Sequence, residues 1–160
     1  MPHLGRFASI AALLALPASQ GIGQTATQNI SIDIRPISRL AVAGSTTMTI
    51  PARGAAGAPT VSTATATYAV TTNEDNRRIT VALDEPMPTG VTLRMKMDAP
   101  AGAVAEDELE LSTDPRTAVT GISRQATRDL GIIFSLETAR GAVVPAATNR
   151  TVKVTMVSGV

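Results

Sequence analysis

Between Val91 and Asp98, apolar and polar side chains change places at every residue: Val91, Leu93, Met95 and Met97 alternate with Thr92, Arg94, Lys96 and Asp98. A strand turns successive side chains to opposite faces, so this spacing buries one face and wets the other; a helix would scatter the same apolar residues around its circumference. The pattern recurs along the chain. Ile30, Ile32 and Ile34 alternate with Ser31, Asp33 and Arg35, and Leu40 and Val42 with Arg39, Ala41 and Ala43. Met48 and Ile50 follow, then Ala66, Tyr68 and Val70 in a threonine-rich stretch, and Ile79, Val81 and Leu83 after Arg77 and Arg78. Leu109 with Leu111, then Leu130, Ile132, Phe134 and Leu136, and finally Val152, Val154 and Met156 complete the series.

Turn chemistry separates these runs. Asn73-Glu74-Asp75-Asn76 is rich in side chains that bond their own backbone. Pro86 to Gly90, Ala99 to Gly102 and Asp114-Pro115 remove donors or permit positive φ. No amphipathic helix of about 10–15 residues lies between the strands, which disfavours a parallel α/β sheet. The spacing predicts an all-β fold: an antiparallel sandwich of about seven to nine strands. Helical turns over Ala103–Leu109 and Arg124–Leu130 are compatible with it. After the N-terminal segment, Tyr68 and Phe134 are the only aromatic residues. The core is therefore aliphatic, with Tyr68 expected inside it and its hydroxyl at the rim; a tyrosine corner is the alternative role for that hydroxyl.

The first residues have a different character. Arg6 precedes an apolar run from Phe7 to Ala18, and small residues follow at Ser19, Gly21 and Gly23. This is the order of a secretory signal peptide, and the run is shorter than the ~20 residues a membrane anchor needs. The expected organisation is a signal peptide over 1–23, cleaved between 18 and 26, and a single sandwich domain over 24–160. The expected location is the periplasm, cell surface or extracellular space, with no integral membrane anchor.

The formal net charge of the 160 residues is +1, and loss of Arg6 with the leader brings it to about zero. A neutral, interspersed surface implies no nucleic-acid or anionic-membrane partner. There is no cysteine or tryptophan, and the single histidine, His3, lies in the leader. Disulfides, thiol chemistry, histidine triads and imidazole or thiolate metal sites are excluded from the mature chain. No Gly-x-Ser-x-Gly elbow or Ser-x-x-Lys pair is present. The chain reads as a non-enzyme with no cofactor.

Carboxylates are what remains. Glu106, Glu108 and Glu110 would share a face if their segment is extended, and with Asp107 and Asp114 nearby they are calcium candidates, since calcium favours clustered oxygen ligands. The loop Asn73–Asn76 is a second, weaker candidate. The competing reading is a solvated acidic edge. Arg77-Arg78 and Lys153 read as gatekeepers against edge pairing, not as nucleic-acid contacts.

One further segment stands out. Ile30, Ile32 and Ile34 form an alternating row immediately after the cleavage region, a candidate partner strand able to complete a neighbour's sheet. The competing reading makes it the first strand of its own sandwich. The leader, this strand at Gln28–Ile34 and the closing arm Pro145–Met156 together resemble small exported β-sandwich proteins of bacterial surfaces, including fimbrial-type subunits. Many of those carry a cysteine pair, which this chain lacks. The resemblance implies an immunoglobulin-like sandwich acting as a structural or interaction protein of pilus-like or adhesive kind, joined to itself or to other envelope proteins through edge strands. The other reading of the chain is a monomeric secreted module binding a sugar, calcium or a protein.

Overall fold

The computed structural model describes residues 31–44, 47–48, 60–140, 142 and 149–159; the expected leader lies outside them. The chain divides into two units, Met1–Asp33 and Ile34–Val160. Of the first, only 31–33 are described, all exposed. The second carries the fold.

The described residues contain nine strands and no helix. These are β1 (Ser38–Ala43), β2 (Thr60–Thr72), β3 (Arg77–Leu83), β4 (Val91–Met97), β5 (Val104–Ala105), β6 (Leu109–Glu110), β7 (Arg116–Ile122), β8 (Gln125–Thr138) and β9 (Val152–Ser158). A five-stranded sheet runs β1-β2-β8-β4-β6, a four-stranded sheet runs β5-β7-β3-β9, and every pairing is antiparallel. The all-β expectation holds, as two sheets sharing one apolar core.

Alternation decides which face each strand buries. Val91, Leu93, Met95 and Met97 are all buried, while Thr92, Arg94 and Lys96 between them are not. From the other sheet, Ile79, Val81 and Leu83 of β3 meet them, and Ile132 and Leu136 of β8 fill the centre. Phe134 packs against this core from a partly buried position.

Three local expectations are corrected, and one strand is added. Residues 31–37 belong to no strand, so the row containing Ile32 and Ile34 is not the first strand of this sandwich, and Ile30 lies outside the described residues. The first strand begins at Ser38, because β2, its partner, turns away after Thr72 and Pro36 has no N–H for a ladder. Arg116–Ile122 is a strand that simple alternation conceals. Its register against β3 shifts twice, and Ala118 and Val119 are consecutive buried residues. The stretch Arg124–Leu130 is not a helical turn but the start of β8, bulged opposite Ala69, with Asp129 at φ 57°. Ala103–Leu109 likewise forms β5, a bend and the start of β6. In the remaining expected run, Met48 is partly buried against the core but in no strand, and Ile50 lies outside the described residues.

At one end of the sandwich, the β3–β4 and pre-β9 segments are joined by Asp84. Its carboxylate accepts from the Thr151 N–H at 2.9 Å and from the Glu85 N–H at 2.9 Å. These bonds, the one to Thr151 foremost, hold its pKa below the ordinary carboxylate value. A lowered folded pKa stabilises above the unfolded pKa, near 4, and that stability is lost as pH falls through the folded value. Asp84→Asn is therefore expected to shrink the acid-side loss of melting temperature below pH 4 relative to the parent, read by thermal melts across pH 2–6.

Candidate functional site

The sequence-derived candidates do not converge. Glu106 follows β5, Glu108 sits in the bend, Glu110 lies in β6, and Asp114 lies in the turn before β7. The chain crosses from one sheet to the other between Glu106 and Glu110, so these carboxylates do not share the face that a single extended segment would give them. Glu108 instead meets the Arg94 guanidinium at 3.7 Å, and that same group lies 4.0 Å from Glu137. Among the described residues, no three His, Cys, Asp or Glu side chains form a group that could hold a metal ion. Arg77 and Arg78 open β3, an interior strand, and so guard no edge; Arg77 bridges to Glu74 at 3.7 Å and donates to Ser158 Oγ at 2.8 Å. Lys153 is exposed on β9, which does end its sheet.

What the fold does assemble is a knot of polar contacts at the pole opposite Asp84, centred on the turn Asn73–Asn76. Asn73 Oδ1 accepts from the Ile37 N–H at 2.7 Å, Asn73 Nδ2 donates to the Arg35 carbonyl at 2.8 Å, and the Asn73 N–H donates to the Ile37 carbonyl at 3.1 Å. One side chain thereby replaces the ladder that β2 stops offering after Thr72. Buried Thr72 is satisfied by Ser38 Oγ at 3.2 Å and by the Glu74 N–H at 3.1 Å. The β7–β8 turn joins the knot, with Asn76 N–H bonding Ser123 Oγ at 2.9 Å and Arg124 pairing with Asp75 at 2.7 Å. The end of β9 joins it too, through the Gly159 N–H on the Asn76 carbonyl at 2.6 Å. The approach to β1 and the end of β9 thus lie at the same pole. The turn residues were legible in the sequence as a turn; their role as a hub depends on three segments distant in the chain.

The second assembled feature crosses the five-stranded sheet. Tyr68 is 1% exposed, and its hydroxyl donates to the Asp98 carbonyl just beyond β4, not to a nearby upstream residue as in a tyrosine corner. Burial, and secondarily the Asp98 charge, push the phenol pKa up to about 12. The Asp98 carboxylate turns to accept from the Gly131 N–H at 3.0 Å, while the Asp98 N–H donates to the Gly131 carbonyl at 2.9 Å. A Cβ at 131 would stand 2.6 Å from that carboxylate oxygen, so glycine is what lets the side chain lie flat on β8. Ala43, Thr67, Gly131 and Asp98 consequently form a rung of small residues over four neighbouring segments. They floor a shallow, open groove of about 460 Å³ walled by Ile133.

Ile32 and Ile34 are each 78% exposed, and the edge strands β1 and β9 each have one strand neighbour among the described residues. Comparison of the chain with protein-family models, with curated proteins and with solved structures finds no match.

Proposed function

We propose that this chain is a non-catalytic structural or interaction protein exported to the bacterial cell surface or periplasm, an immunoglobulin-like sandwich that joins itself or other envelope proteins through edge strands. The observation that carries this reading is the pair Ile32 and Ile34: aliphatic, two residues apart, 78% exposed, and just ahead of an edge strand. A row of that spacing presents one apolar face, and its backbone can add to an open sheet edge, where main-chain bonds give affinity and alternate side chains give specificity. The absence of cysteine anywhere and of histidine beyond His3 fits a protein whose work is contact.

Size-exclusion chromatography and electron microscopy of the chain test the proposal. Oligomers or filaments are expected, and they are expected to disappear when Thr27–Ile34 is deleted while the β-type far-ultraviolet spectrum persists. Replacing Ile32 and Ile34 together by Asp gives the same result without shortening the chain. A parent protein monomeric at every concentration would sink assembly as its function. Unfolding of the deleted form would make the segment part of its own domain.

A further inference from the structure

We propose that Ile34–Ala43 is a strap, latched at Asn73, that opens as a unit while the rest of the sandwich stays folded; this does not rest on self-assembly. Every residue from Ile34 to Ala43 is exposed except Leu40, which is half-buried. Ile37 is 48% and Val42 47% exposed even though one abuts the polar knot and the other pairs with buried Tyr68. Local opening is easiest where few apolar groups are buried and backbone bonds face water. The strap meets both conditions. It is held by the six-residue ladder of β1 on β2, by Leu40 against the core, by the Ser38 hydroxyl on Thr72 and Glu74, and, ahead of these, by the three hydrogen bonds of Asn73 to Arg35 and Ile37.

The neighbouring strand differs in kind. Beneath the strap, β2 keeps a partner along its other side, its register with β8 running from Thr60 to Thr72. Opening therefore removes a cover and leaves the sheet standing as β2-β8-β4-β6. It bares the β2 edge from Thr67 to Thr72 and takes Ile37 away from the open shelf it forms with Thr71, Thr72, Arg124, Gln125 and Ala126. The latch is a side-chain amide, so it can be weakened without touching the core.

Native-state hydrogen exchange on the full chain decides the matter. In the parent, the amide of Ile37 and the ladder amides of β1 should exchange at least about tenfold faster than those of Ile79 in β3 and Ile132 in β8, with little response to low urea. Asn73→Ala should speed exchange of Ile37 and β1 about fivefold further, the scale of a lost hydrogen bond, and leave β3 and β8 unchanged. Asn73→Asp, which keeps the acceptor and loses the donor to Arg35, should have a smaller effect of the same sign. Three results overturn the strap: β1 amides exchanging only with global unfolding, Asn73→Ala leaving Ile37 unchanged, or Asn73→Ala speeding β3 and β8 equally. If Asn73→Ala does not fold, the parent's own rates in urea still decide between local and global opening.

Discussion

Ile132→Ala is expected to cost about 2–5 kcal/mol, a large share of the ~5–15 kcal/mol that holds an ordinary domain together. Ile132 is fully buried on β8, the strand at the middle of the five-stranded sheet, where it is flanked by Ala66 of β2 and Met97 of β4. Truncation there removes three carbons from water-free packing and leaves a hole between two sheets whose backbones are pinned on both sides, so little collapse can offset it. The neighbouring substitution Ile133→Ala removes the same atoms from a residue 45% exposed on the opposite face. It should change stability by no more than about 0.5 kcal/mol. Urea unfolding of the two variants side by side measures the register itself, because a one-residue slip of β8 would exchange their effects. Equal losses would refute the pairing described for this strand.

Tyr68→Phe should lower stability by roughly 1–2 kcal/mol at neutral pH, because the Asp98 carbonyl loses its buried donor. The same change should make the protein less sensitive to alkali. The folded pKa of Tyr68, about 12, lies above its unfolded value of 10.0. Between those values the unfolded chain gives up the phenolic proton and the folded chain keeps it, so stability present below pH 10 drains away as pH rises toward 12. Two pK units correspond to about 2.7 kcal/mol at most. The parent should therefore lose stability steeply across that window, and Tyr68→Phe should retain only the slope contributed by its other groups. The chain has one tyrosine and no tryptophan, so tyrosinate absorbance follows this titration directly; a midpoint near 10 in the folded protein would contradict the buried hydroxyl.

Much of the fold could be read from side-chain period because most of its strands bury one face. The β3, β4 and β9 runs and the later half of β8 alternate cleanly, and the structure places strands on each. Strand β7 was hidden since its bulge puts Ala118 and Val119 inward together, which destroys the period. The first half of β2, from Thr60, was hidden for another reason: its Thr, Ser and Ala residues differ too little in polarity to mark a face. The acidic residues Glu106, Glu108 and Glu110 looked like a cluster because sequence distance was short, and the change of sheet between β5 and β6 separates them. Asn73 was visible as a turn residue, but its bond to Arg35 spans 38 positions and has no local signature.

The order of strands also governs when the molecule can take shape. β3 obtains its outer neighbour from β9, with Arg77 reaching Ser158 across 81 residues, and β2 obtains its inner neighbour from β8. Loop closures of that length must be met before the pairings reward them, which makes such topologies slow to form. A growing chain can therefore join β2 to β4 only once β8 has emerged, and can give β3 its second neighbour only once β9 has followed.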